Sequence, residues 1–143
     1  MLTILPTGGG KTLTALLPIL EARRLTGSGA ALFVVPTISL MSDIAEGLRR
    51  RYKDATSVIS AEASHSGLSQ DTRRAIERAF FGHELDILVV SPERALHPEF
   101  LGRLTHFGSG LRFLVIDEAH LITDWGEGFR ADFQRLGWLR KRL

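Results

Sequence analysis

The sequence predicts an α/β domain of three layers, with a mostly parallel sheet between two layers of helices. Three short runs of branched apolar residues, Ala30 to Val35, Asp86 to Val90 and Leu111 to Ile116, each end at a turn-forming or polar residue. Runs of this kind are typical of strands buried on both faces. Helical spacing of apolar residues separates them, and this alternation favours parallel strands joined by right-handed crossovers.

Two further strands and the first helix complete the predicted order. Met1 to Leu5 is a fourth strand candidate, and Thr56 to Ile59 is a weaker fifth. Four leucines between the first two strands repeat at helical spacing and predict a helix with an apolar face. They are Leu13, Leu16, Leu17 and Leu20. Functional residues are expected at the carboxyl ends of the strands, where active sites of such sheets gather.

Length and composition indicate one compact domain, residues 1–143. The hydrophobic share of 44% and the charged share of 24% are ordinary for a soluble globular core. The net charge of +2 excludes a heavily cationic tail. No stretch approaches the roughly 20 apolar residues of a membrane span, and no signal peptide pattern is present, so a cytoplasmic protein without a membrane partner is expected. The absence of cysteine excludes disulfides and cysteine-bound zinc in these residues.

A glycine-rich loop follows the first predicted strand and opens the first helix. Its residues are Pro6, Thr7, Gly8, Gly9, Gly10, Lys11 and Thr12. Glycines let backbone N–H groups surround phosphate oxygens at a helix N-terminus, Lys11 adds positive charge, and the Thr12 hydroxyl can bind magnesium. The loop predicts a site for ATP and Mg²⁺. Leu5 stands where the common pattern has its first glycine, so a glycine-rich turn that binds nothing is the alternative.

Two carboxylates follow the last predicted strand. Neighbouring side chains of an extended chain point to different sides, so Asp117 can reach the magnesium while Glu118 faces the attacking water. An isolated acidic pair is usually a solvated turn. At the end of a buried strand, in the same small domain as a phosphate loop, the pair favours catalysis. Lys11, Asp117 and Glu118 are therefore predicted to be catalytic, with Thr12 and Asp117 as magnesium ligands.

Three further segments carry recognisable patterns. They are Val35 to Asp43, Ser91 to Arg94 and His120 to Phe133. Together with the phosphate loop and the acidic motif, they make the chain resemble the RecQ-like DNA helicases of superfamily 2. In that family an apolar residue stands where Leu5 lies, and the first motor domain is a RecA-like P-loop domain. The resemblance implies ATP-dependent 3′ to 5′ translocation on single-stranded or partly duplex DNA.

The resemblance assigns nucleic-acid contacts to the first two segments. The matching residues are Pro36, Thr37, Ser39, Ser91, Pro92, Glu93 and Arg94. It also makes His120 a link between ATP chemistry and nucleic acid, and so adds His120 to the catalytic set.

The third segment resembles the aromatic-rich loop with which RecQ-like enzymes sense single-stranded DNA. Trp125, Phe129 and Arg130 are the matching positions. Aromatic faces stack on any base and arginine adds charge, which suits strand binding without sequence choice. The alternative is that the aromatic residues lie on one helical face in the core. Gly126 and Gly128 favour an exposed loop instead.

The resemblance further implies a first motor domain truncated at both ends. An adenine-recognising segment and, in cis, a second RecA-like domain with an arginine finger are expected in the full protein. Two alternatives stay open. The chain alone could act as a weak nucleotide or DNA-binding module. An RNA-directed superfamily 2 ATPase also fits, because phosphate and stacking contacts do not distinguish the two nucleic acids.

Overall fold

The computed structural model describes residues 10–27, 30–51 and 59–117. The strands are β1 (Ala31–Val34), β2 (Ala61–Ser64), β3 (Ile87–Val90) and β4 (Phe113–Ile116). The helices are α1 (Lys11–Thr26), α2 (Ile38–Arg51), α3 (Gln70–Phe81), α4 (Pro92–Leu96) and α5 (Pro98–Phe107), with a short 3-10 helix at Gly108–Gly110. The strand predicted at Met1 to Leu5 lies outside the described residues.

The described strands form one parallel sheet in the order β2-β3-β1-β4. Every connection between them is a crossover that contains at least one helix, as parallel pairing requires. The three strongest apolar runs of the sequence became β1, β3 and β4. The predicted α/β fold with a parallel sheet is therefore confirmed.

Helices cover both faces of the sheet because alternate strand residues point to opposite sides. On one face, Phe33 and Val89 pack with buried residues of α1 and α2. On the other, Leu32 and Leu88 pack with buried residues of α3, α4 and α5, among them Phe100. This produces the three predicted layers.

The position of the weak fifth strand was predicted wrongly. Ile59 is described and precedes the strand, which runs from Ala61 to Ser64, while residues 56–58 lie outside the described part. The sequence Ala-Glu-Ala-Ser has no branched or aromatic residue, so its intrinsic strand preference is low. Pairing with β3 along its whole length makes it a strand nonetheless.

The apolar face of α1 also differs from the prediction. Leu16 is fully buried as expected, and Ile19 is buried beside it. Leu13 and Leu17 are 42% and 57% exposed, so only part of the predicted leucine stripe faces the sheet. None of the described helices is long and apolar enough to cross a membrane.

Candidate functional site

The carboxyl ends of the four described strands lie in one row. Val34 is in register with Val90 on one side and with Ile116 on the other, and Ser64 is in register with Val90. Because adjacent strands are about 4.8 Å apart, the segments that leave them emerge close together. Two of the predicted nucleic-acid segments and Asp117 leave the sheet at this carboxyl edge.

Asp117 lies directly after β4 and is half-buried. Its backbone N–H donates to the Val34 carbonyl at 3.0 Å, which continues the pairing of β4 with β1 by one residue. The bond fixes the start of the acidic motif beside the end of β1. Glu118 and His120 lie outside the described residues.

The start of α1 points toward the same edge. Arg23, near the other end of the helix, forms an ion pair with Asp86, which precedes β3 at the amino end of the sheet. The helix has 16 residues and is therefore about 24 Å long. Since it packs along the sheet, its first residues reach toward the carboxyl edge.

The local conformation at the start of α1 suits a phosphate group. Gly10 precedes the helix in the left-handed region at φ 80°, and a Cβ built there would meet no atom of the described residues within 4 Å. Gly10 supplies no side-chain cap, and the first turn holds no acidic residue. Within the part of the chain that the structure describes, the helix start therefore has no side-chain cap and no negative charge, which favours an anion.

The other residues of the predicted phosphate site are only partly described. Thr12 is half-buried in the first turn of α1. Lys11 is helical, but its side chain is outside the described part, as are Pro6, Thr7, Gly8 and Gly9. Their roles stay predictions.

The segment after β1 is held by a turn at the start of α2. The Thr37 hydroxyl accepts from the Leu40 N–H at 3.3 Å, and the Thr37 carbonyl accepts from the Met41 N–H at 2.9 Å. Pro36 is half-buried, whereas Thr37 and Ser39 are exposed. The exposed side chains of Thr37 and Ser39 are accessible to a nucleic-acid strand that crosses the carboxyl edge.

The segment after β3 is ordered in a similar way. Ser91 caps α4, since its hydroxyl accepts from the Arg94 N–H at 3.3 Å. Pro92 occupies the first turn and is buried, while Glu93 is exposed. The cap and the proline fix the direction in which this segment leaves the sheet.

Arg94 ends this segment, and its guanidinium is bound by Glu77 of α3. Glu77 is only 1% exposed. Its Oε1 accepts from Arg94 Nε at 2.8 Å and from Ser64 Oγ at 3.2 Å. Its Oε2 accepts from Arg94 Nη2 at 2.6 Å and from Arg103 Nη1 at 3.2 Å. An ionised carboxylate offers about four acceptor positions, so three side chains from β2, α4 and α5 saturate this one. We name these four residues the Glu77 cluster.

The surroundings of Arg94 keep it charged. Hydrogen bonding to Glu77 raises the pKa of the Arg94 guanidinium, and partial burial opposes that shift. The guanidinium also lies over the Phe100 ring, 5.3 Å from its centroid, a favourable cation–π distance. The structure thus places Arg94 at the predicted edge with its charged fork turned to a protein carboxylate.

Three members of the cluster were not singled out from the sequence. Glu77 precedes Phe80 by three residues, which places both on one side of α3, and Phe80 is fully buried. A charged residue on the apolar face of an amphipathic helix was the available signal. Nothing in the sequence pattern pointed to Ser64 or Arg103.

The aromatic-rich segment lies outside the described residues. Trp125, Phe129 and Arg130 therefore stay predictions, as does their contact with a strand.

A comparison with protein families shows which family the chain belongs to. The family model described as DEAD/DEAH box helicase matches residues 1–141. The chain belongs to the DEAD/DEAH box helicase family. The match includes the phosphate loop, the acidic motif and both described edge segments.

Relatives within the family confirm the resemblance to RecQ-like helicases. The chain is 35% identical over 142 residues to the ATP-dependent DNA helicase RecQ of Synechocystis sp., covering 99% of this chain and 27% of that protein. It is 37% identical over 144 residues to the probable ATP-dependent DNA helicase RecS of Bacillus subtilis, covering 99% of this chain and 26% of that protein. The chain spans about a quarter of the length of these curated relatives.

A solved structure supports the fold. The crystal structure of the yeast DEAD-box splicing factor Prp28 is similar with a TM-score of 0.69 and 23% sequence identity. The similarity covers 93% of this chain and 31% of that chain. It confirms the RecA-like architecture predicted from the sequence.

Proposed function

We propose that this domain binds and hydrolyses ATP as the first motor domain of an ATP-dependent DNA helicase. One observation carries the proposal. Asp117 and the two predicted DNA-binding segments leave the sheet at its carboxyl edge, and the last turn of α1 is paired with Asp86 at the opposite edge, so α1 begins toward the carboxyl edge, in a chain of the DEAD/DEAH box helicase family. A helicase motor must bind ATP and nucleic acid on elements that are connected to each other, and this arrangement supports both roles.

In this proposal the nucleotide phosphates lie against the N-terminus of α1. Backbone N–H groups around Gly10 and the ammonium of Lys11 bind the phosphate oxygens. The Thr12 hydroxyl and the Asp117 carboxylate hold Mg²⁺, which when bound neutralises charge on the phosphates. Glu118 orients the attacking water and accepts its proton.

Single-stranded DNA crosses the same edge in this proposal. Thr37 and Ser39 approach it from the start of α2, and the Ser91 to Arg94 segment approaches it from α4. Trp125 and Phe129 stack on its bases, and Arg130 adds charge. His120 transmits strand binding to the ATP site.

A second RecA-like domain in cis completes the ATP site and supplies an arginine finger, a contribution worth roughly a thousandfold or more in rate. The short coverage of the relatives agrees with this, since about three quarters of their length lies outside the matched part. Closure of the two domains moves the protein 3′ to 5′ along one strand.

Two variants separate nucleotide chemistry from strand sensing in the intact protein that carries this chain. Lys11→Ala is expected to lower ATP hydrolysis roughly 100-fold or more, with and without DNA, because the positive charge that binds the phosphates is removed. Trp125→Ala is expected to keep basal hydrolysis and lose its stimulation by single-stranded DNA. Stimulation that persists in Trp125→Ala would contradict the sensing role, and hydrolysis that persists in Lys11→Ala would contradict the ATP site.

A further inference from the structure

The Glu77 cluster joins elements that meet at the proposed strand-binding edge. Ser64 is the last residue of β2, and Arg94 lies in the segment that follows β3. Arg103 belongs to α5, the helix after that segment, and its Nη2 also donates to the Glu77 carbonyl at 3.4 Å. One carboxylate therefore joins the carboxyl end of β2 to α4, the helix that follows β3, and to α5.

Stability alone is a weak reason for a buried ion cluster. Removing charges from water costs several kcal/mol per ion, so apolar residues of similar volume often stabilise a fold as well or better. A saturated cluster instead selects one geometry, because each donor has a single place where its bond is satisfied. At this position, the geometry selected is that of the Ser91 to Arg94 segment.

Arg94 is poorly arranged to act as a free cation on phosphate. Its Nε and Nη2 donors form a fork on Glu77, one face lies over Phe100, and the side chain is only 22% exposed. Ser91 caps the helix through the Arg94 backbone N–H. The bonds that fix Arg94 therefore also fix the first turn of α4, which Ser91 caps at the carboxyl edge of the sheet.

We propose that Glu77 is a positioning residue for strand binding, which acts by clamping Arg94 and thereby orienting the Ser91 to Arg94 segment. Arg94 serves the strand through this clamp. The inference rests on the proposed function, because it assigns Glu77 to the DNA-binding edge of the same domain.

Salt dependence distinguishes this role from a direct phosphate contact. Each phosphate neutralised by a side chain on single-stranded DNA adds about 0.7 to the slope of log affinity against log salt concentration. Loss of a contacting arginine reduces that slope, whereas loss of a positioning carboxylate weakens binding without changing the number of neutralised phosphates. Affinity and slope are therefore measured together.

Two variants break the clamp without leaving a buried charge alone. Arg94→Lys keeps the positive charge, but a lysine cannot form the bidentate hydrogen bonds to a carboxylate that arginine forms. The double variant Glu77→Met with Arg94→Met replaces the buried pair by apolar side chains of similar size, and Arg103, whose side chain is 31% exposed, can turn to solvent. The fluorescence anisotropy of labelled oligothymidylate with the intact protein reports the Kd at several salt concentrations.

A matched control exists at the opposite end of the sheet. Arg23→Lys makes the same substitution in the ion pair with Asp86, which lies before β3. It is expected to leave the Kd for oligothymidylate unchanged. Melting temperatures of all variants, measured without DNA, show how far each change affects folding.

The proposal predicts that Arg94→Lys and the double variant raise the Kd roughly tenfold, the effect of losing a charge-assisted bond, with the salt slope unchanged. Near wild-type affinity in Arg94→Lys, with a slope about 0.7 smaller in the double variant, would make Arg94 a phosphate contact and overturn the clamp. Wild-type affinity in both variants would overturn it as well. A wild-type protein that binds no oligothymidylate would instead remove the proposed function and, with it, this role of Glu77.

Discussion

The two ends of the sheet carry the same kind of cluster in different settings. At the carboxyl edge, Glu77 binds Ser64 and two arginines and is 1% exposed. At the amino edge, the Asp86 side chain accepts from the Ser60 N–H and hydroxyl, both at 2.8 Å, and pairs with Arg23. The Asp86 side chain is 16% exposed and that of Arg23 is 30% exposed.

The two clusters hold different parts of the strands that they join. The amino-edge cluster fixes the entry to β2 and β3 and ties the end of α1 to the sheet. Gly27, in the left-handed region at φ 71°, ends α1 there and donates to the Arg23 carbonyl. The carboxyl-edge cluster holds the exits of the same strands, where the proposed ligands bind. One cluster stabilises the fold, and we expect the other to shape a surface as well.

Truncation of the carboxyl-edge carboxylate is expected to have the largest effect on stability. Glu77→Ala leaves Arg94 and Arg103 without their shared acceptor, and breaking a buried pair in this way costs about 3 to 5 kcal/mol. The free energy of unfolding from urea titration checks this. A loss below about 1 kcal/mol would place the pair in the range of exposed salt bridges. It would contradict the expectation that the carboxyl-edge cluster stabilises the fold more than the amino-edge cluster does.

The amino-edge cluster is expected to respond less. Asp86→Ala removes bonds to Ser60 and Arg23, but the Asp86 carboxylate is 16% exposed against 1% for Glu77, so the free energy of unfolding falls by about 1 to 2 kcal/mol. DNA-stimulated ATP hydrolysis per folded molecule stays at the wild-type value. A change in the DNA concentration that gives half-maximal stimulation would contradict the division of roles between the edges.

A surface pair on α1 sets the lower end of the scale. The hydrogen bond from Arg24 is the main cause that lowers the pKa of Glu21, and the Arg24 charge acts in the same direction. A lowered carboxyl pKa contributes stability above its ordinary pKa, and the contribution is lost as the pH falls through the acid range. The Glu21 side chain is 55% exposed, so Glu21→Gln is expected to leave the melting temperature unchanged at pH 7. A clear drop would show that exposure is a poor guide to the strength of these pairs.

The sequence predicted those parts of the fold whose signal is local. The runs that became β1, β3 and β4 are branched and apolar, because each strand is buried on both faces and no alternation dilutes the pattern. β2 was misplaced because Ala, Glu and Ser have no such preference, and its strand state comes from pairing with β3. The face of α1 was predicted only in part, since the spacing of leucines does not say which of them meets the sheet.

The candidate site divides in the same way. Gly10, Thr12 and Asp117 belong to contiguous motifs that a sequence displays directly, and Asp117 lies directly after β4, as predicted. Their roles at a phosphate site stay predictions. Glu77 was missed because its partners are 13, 17 and 26 residues away along the chain. Contacts at such separations follow from the packing of α3, α4 and α5 on one face, which periodicity in a single segment cannot report.

Coupling between the ATP site and single-stranded DNA is tested by measuring ATP hydrolysis by the intact protein with oligothymidylate, with oligouridylate of equal length, and with neither. We expect low basal hydrolysis, strong stimulation by oligothymidylate and weaker stimulation by oligouridylate. Stimulation mainly by oligouridylate would indicate an RNA-directed ATPase. Hydrolysis that neither oligonucleotide changes would contradict the coupling of ATP hydrolysis to single-stranded DNA at the carboxyl edge.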